Sequence, residues 1–187
     1  MDDVIQGLRR EHAEMGQLLD MLEREVAVFR RGEVPDYDLV QEILDYCLDY
    51  PDRCHHPIED LILARIRERD PAAAEKVGDL DAEHAALSAL TRKFFDATDR
   101  LVQETGMTRD WFADTAAEFI EAYRQHIAME ERDFFPVAGK VLSDDDWSEI
   151  DSRLANHKNP LIDAGDERRF ATLRMGILGS DSGGATA

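Results

Sequence analysis

The sequence predicts an all-α protein: an antiparallel up-down four-helix bundle with a short fifth helix and a flexible C-terminal tail. Three observations carry this. Apolar residues recur at three-to-four spacing along segments of about 30 residues, the period of a helix that buries one face. No segment alternates apolar and polar residues as a half-buried strand does. Glycines, prolines and capping residues separate the long segments with short breaks, and four such helices pack most readily up-down-up-down.

The first helix spans residues 3–31, where Val4, Ile5, Leu8, Met15, Leu18, Leu19, Leu22, Val26 and Phe29 form one stripe, and Gly32 ends it. Pro35-Asp36 opens the second, in which Leu39, Ile43, Leu44, Cys47, Leu48, Leu61, Ile62 and Ile66 keep the period to about Arg69. Pro51 and Pro57 interrupt it. Proline lacks a backbone donor and crowds the preceding turn, so a bend or break is expected between Tyr50 and His56. Asp70 caps and Pro71 begins a third helix, which runs to about Glu104 and stops at Gly106. Thr108 caps a fourth, with Trp111, Phe112, Ala116, Phe119, Ile120, Tyr123, Ile127, Phe134 and Val137 on its stripe and an end near Leu142. Ser143 caps a short fifth helix to about Ala155, and Asp144, Asp145 and Asp146 serve its positive N-terminus. Past His157, expected at the surface, one or two amphipathic turns (Phe170, Leu173, Ile177) precede a Gly/Ser/Ala tail expected to be disordered. The bundle and fifth helix thus occupy residues 1–156, and a largely irregular extension occupies 157–187.

A chain of 187 residues can bury a core without disulfides. The 41 acidic against 22 basic side chains give a net charge of −19, which repels nucleic acid and anionic membranes and excludes both as partners. Cys47 and Cys54 lie ~10 Å apart along one helix, too far for a disulfide. Two thiols point to a reducing compartment, and the N-terminus shows neither an apolar signal region nor a membrane span, so a cytoplasmic location is expected.

Chemistry enters with the histidines, four of which fall one per long helix. His55 precedes Glu59 by four residues in HHPIE, and His126 precedes Glu130 by four in HIAME, so each pair projects from one helical face and can grip one metal centre. Imidazole nitrogen with carboxylate oxygen suits divalent iron, manganese or zinc, and carboxylates can bridge two metals. Glu11-His12-Ala13 and Glu83-His84-Ala85 repeat the same triplet, each ahead of one pair, with 43 residues from His12 to His55 and 42 from His84 to His126. Two similar hairpins facing each other would bring six ligands to one centre. One histidine alone on an apolar face is more often a core or surface residue. Two matched pairs are not easily an accident. Elsewhere there is no nucleophile–base arrangement and no phosphate loop.

The pattern of one histidine, HxxxE, one histidine and HxxxE over residues 3–142, with HHPIEDLIL at the first pair and EERDFFP after the second, resembles the hemerythrin or HHE cation-binding domains. The resemblance implies His12, His55, Glu59, His84, His126 and Glu130 as ligands of two non-haem irons, bridged by the glutamates and an oxo group. Ferritin-type bundles use Glu-x-x-His instead, which is absent. Oxygen-carrying members have a further histidine four residues after the one on the third helix, where this chain has Ser88. That departure leaves open coordination, and favours reaction with oxygen, peroxide or nitric oxide over reversible oxygen carriage. The first expectation is therefore a di-iron protein that binds or senses these oxidants. An alternative is a stress-defence enzyme that decomposes peroxide or serves iron homeostasis and cluster repair, although repair members often carry an N-terminal cysteine domain ahead of the first ligand, here already at residue 12. A third is a metal-stabilised interaction module. His56 is expected at the surface or behind the ligands with Asp60 as partner, Tyr123 in the core, and Cys54 as a buried structural thiol.

Overall fold

A computed structural model describes residues 2–102, 108–156 and 164–181. Helices make up all the regular structure among them: α1 (Asp2–Arg30), α2 (Tyr37–Tyr50), a π-helical turn (Pro51–His55), α3 (His56–Arg69), α4 (Pro71–Val77), α5 (Leu80–Val102), α6 (Arg109–Met129), a second π-helical turn (Glu130–Phe134), α7 (Phe135–Val141), α8 (Asp144–Asn156) and α9 (Ala164–Asp181). None is long and apolar enough to cross a membrane.

The capping chemistry is as the sequence suggests. Gly32, at φ 84°, closes α1. Carboxylates of Asp36 and Asp70 accept from the backbone N–H of Leu39 and Ala73, each at 3.0 Å, and Thr108 accepts from Trp111 at 3.3 Å. Ser143 and Asp146 cap reciprocally at the start of α8, hydroxyl to N–H at 3.3 Å and carboxylate to N–H at 3.0 Å.

Four expectations need correction. The third helix is not continuous: Gly78, at φ 96°, breaks it, and Asp79 caps the restart by accepting from Ala82 N–H at 3.2 Å. Trp111 lies on the exposed side of α6, at 43% exposure. Asp146 does more than favour a helix terminus, since it is buried and takes Arg65 and Arg69, each at 2.7 Å. The amphipathic turns past residue 157 extend into the 18-residue α9, whose Phe170 and Ile177 are buried against α2 and α1. The expected stop at Gly106, the surface position of His157 and the Gly/Ser/Ala tail lie outside the described residues.

Contacts run from α1 to α6, α6 to α5, α5 to α2 and α2 back to α1, a closed ring of four. The buried residues form two apolar cores. One gathers Phe29, Tyr46, Phe94, Phe112 and Phe119, and the other Ile5, Ile62, Ile66, Phe134 and Trp147. Each long helix passes from one core to the other, and at each crossing stands a titratable residue: His12 between Leu8 and Met15, His84 between Leu80 and Leu87, His126 and Glu130 between Tyr123 and Phe134, and His55 and Glu59 between Tyr50 and Ile62.

Candidate metal centre

Proline shapes two of the four crossings. The expected distortion at Tyr50 to His56 is a π-helical turn, in which His56 N–H bonds back five residues to Pro51 carbonyl. A second, which the sequence reading ran straight through, has Phe135 N–H bonded five back to Glu130 carbonyl. Pro57 and Pro136 each stand two residues beyond such a turn. Their rings crowd the carbonyl four residues behind, and widening the turn by one residue relieves it. Pro136 was the unread signal.

All six expected residues are buried, Glu59 and Glu130 completely. Nε2 of His12 is 3.0 Å from Nε2 of His55. Glu59 turns Oε1 to His55 Nε2 at 3.3 Å and Oε2 to His84 Nε2 at 3.4 Å. Glu130 turns Oε2 to His12 Nε2 at 3.2 Å, and Oε1 to His126 and His84 at 3.1 and 3.4 Å. Each carboxylate thus spans two groups of histidines.

A ring of outer carboxylates holds those histidines from behind. Nδ1 of His55 bonds Glu11 at 2.7 Å, His12 bonds Glu131 at 3.0 Å, and His126 bonds Glu83 at 3.4 Å. None of the three was read from the sequence, yet a signal existed. Glu11 and Glu83 are the glutamates of the repeated EHA, and each serves the histidine of the following pair rather than its own neighbour. Glu131 directly follows Glu130, and Asp60, directly after Glu59, stands within electrostatic reach of His84.

His56 departs from expectation. It is buried, its Nδ1 bonds Asp52 at 3.0 Å and not Asp60, and its ring stacks on His84 with centroids 3.7 Å apart. It forms a group with His84 and His126 whose donor atoms lie within 4.8 Å of one another, while His12, His55, Glu59 and Glu130 form a second such group. Ser88 supports His56 indirectly, its hydroxyl donating to Asp52 at 3.2 Å. Tyr123 is buried as expected, whereas Cys54 is only half-buried.

The charge balance of this layer points to a cation. Both oxygens of Glu59, Oε2 of Glu130 and Nε2 of His126 are buried without a hydrogen-bond partner. A bare buried carboxylate is among the most costly groups a core can hold. With Nδ1 protons given to Glu131 and Glu11, neutral His12 and His55 direct bare lone pairs at each other across 3.0 Å, a repulsion that a cation between them relieves. Without one, protons take its place. Burial disfavours charge on His55, but Glu59 and Glu11 outweigh it and raise the pKa to about 10. His84 is likewise opposed by burial but held up by Glu130 and Glu59, to about 9. Burial and the neighbouring His84, His55 and His126 lower His56 to about 2. Burial raises Glu130, but the close approach of the His12, His126 and His84 rings outweighs it and holds the carboxyl well below the usual carboxylate range. The residues present therefore fit metal binding.

Beside the centre a small pocket lined by Met15, Tyr50, Pro51, Tyr123 and Ile127 has room for about one water-sized molecule.

Against known proteins, the sequence model of the hemerythrin HHE cation binding domain matches residues 3–138. No curated protein and no solved structure gives a significant match.

Proposed function

Because the chain belongs to the hemerythrin HHE cation-binding family, we propose that it holds two irons and binds or senses oxygen, peroxide or nitric oxide. One observation carries this: Glu59 and Glu130 are each fully buried, Glu59 turning one oxygen to His55 and the other to His84, and Glu130 one to His12 and the other to His84 and His126. Such carboxylates would suit bridging between two cations. His12 and His55 would hold one iron, and His84 and His126 the other, with His56 offering a further nitrogen through Nε2 because Asp52 occupies Nδ1. That assignment supplies the fifth histidine missing at Ser88, from the neighbouring helix. The order of the two cores reverses between successive long helices, which supports the antiparallel four-helix arrangement.

Ferrous iron so held would supply electrons to a small oxidant. The protein's own part is selection and support. The pocket has room for about one water-sized molecule, which favours the smallest oxidants over organic substrates. Met15, Tyr50 and Tyr123 give it buried, largely apolar walls. Glu11, Glu131, Glu83 and Asp52 fix each ring with Nε2 inward. The pocket touches both halves, through His12 and His55 and through His56 and His126, and the His12–His55 half has one nitrogen fewer, so the exogenous ligand is assigned to that side. Peroxide turnover is the second reading, favoured by the same open side. Cys47 and Cys54, both thiols, support a reducing compartment such as the cytoplasm.

Elemental analysis after anaerobic loading with ferrous iron, with absorbance before and after air, tests the reading. The expected result is two irons per chain and a new near-ultraviolet band that Glu59→Ala and Glu130→Ala abolish. One metal or none, with no spectral change, overturns it; peroxide consumption by the loaded protein separates turnover from binding.

A further inference from the structure

α9 falls outside the family match, which ends at residue 138, yet it packs on α2 and α1 behind the wall of the pocket. Phe170 is the residue through which it does so. Its buried ring meets Tyr50 edge-on at 5.5 Å and Tyr46 edge-on at 6.2 Å, and the two tyrosines stack at 4.8 Å. One turn on, Arg174 pairs with Glu14 at 2.8 Å and hydrogen-bonds Tyr46. On the far side of these rings Tyr50 lies beside Glu11, which lines the same pocket and whose Oε2 lies 2.7 Å from Nδ1 of His55. Phe170, Tyr50, Glu11 and His55 thus form one continuous path from α9 to the metal-binding layer.

Tyr50 faces a pocket on one side. A ring beside empty space is held by what packs behind it, and edge-to-face contact fixes its angle as well as its position. We infer that α9 is part of the metal centre: Phe170, backed by Arg174, is a positioning residue that holds Tyr50 against the pocket and, through Glu11, holds the imidazole of His55 in its binding orientation. Outer partners of this kind set the tautomer and angle of a ligating histidine, and disturbing them weakens metal binding without removing a donor.

Nitrogen-15 NMR of the histidine rings in the full-length, metal-free chain tests the path. Phe170→Leu and Tyr50→Phe are expected to shift the His55 signals, and the double variant to shift them no further than Tyr50→Phe alone, because both act through one contact. Ile177→Ala, at a buried position of the same helix, controls for general loosening of α9 and should leave them in place. No shift in Phe170→Leu, an equal shift in Ile177→Ala, or additive shifts in the double variant would overturn the inference. A second measurement rests on the iron reading: the loaded Phe170→Leu protein should release iron to a chelator about tenfold faster than wild type, with Ile177→Ala unchanged. Should the wild type bind no iron, the proposed function fails, while the metal-free His55 signals still decide the role of α9.

Discussion

Glu131 shows how much of the centre is built by residues that touch no metal. Its Oε2 accepts from Arg9 Nε at 2.9 Å and its Oε1 lies 3.0 Å from His12 Nδ1, while the His12 ring stacks on Phe135 at 5.3 Å. Ring angle and tautomer are thereby fixed before any metal arrives. Glu131→Gln keeps the shape and an acceptor oxygen but removes the charge, and should weaken metal binding by about tenfold with little change in fold; chelator competition measures the first and circular dichroism the second. An unchanged affinity would reduce Glu131 to a surface ion pair with Arg9. Of the six inward residues, His55, Glu59, His126 and Glu130 were legible because spacing along one helix makes neighbours at i and i+4, and His12 and His84 because the EHA triplet repeats ahead of each pair. Glu131 and Glu11 were not, since each meets its histidine across 119 and 44 residues of chain, where only the fold sets proximity. His56 was misread for a related reason: in a regular helix it points about 100° away from His55, but the π-helical turn Pro51–His55 alters that phase.

At the level of elements, helices and caps were legible because their causes are local. Asp36, Asp70, Thr108 and Ser143 each accept from a backbone N–H three residues on. Thr108→Ala should therefore cost about 1 kcal/mol of stability, read from denaturant unfolding, with metal binding untouched. The break at Gly78 and the second π-helical turn were missed because the apolar stripe continues across both. In the second turn one widened hydrogen bond separates Glu130 from the regular winding of α7, and Pro136 is its cause. Pro136→Ala restores an N–H that can bond the carbonyl four residues back and draw the turn toward regular α-helix. The metal-free protein should then melt no lower than wild type, while metal affinity falls by about tenfold or more as Glu130 loses its aim. A variant that binds metal as wild type does would show that Glu130 is placed by packing alone.

Across the described residues, a layer of five buried histidines and two buried glutamates lies between the two apolar cores, and the metal-free stability must follow the charge of that layer. The signs differ among its members. His55 and His84, raised to about 10 and about 9, add stability that is complete below the unfolded histidine value and is lost as pH rises through the folded ones. His56, lowered to about 2, adds stability that is present above the unfolded value and is lost as pH falls. Glu130, held well below the carboxylate range, does the same at more acid pH. The metal-free protein should accordingly be most stable near pH 6.5, where these opposed slopes cross. Metal reverses the alkaline side, because it needs the same Nε2 atoms without protons. Near pH 7 its uptake should release about two protons, those of His55 and His84. The melting temperature of the loaded protein should hold as pH goes from 6 to 9 while that of the metal-free protein falls, so the gap between them widens. Thermal unfolding in both states over that range measures it. A gap independent of pH would mean that the cation does not replace protons on His55 and His84, and would place the metal away from the layer where the two cores meet.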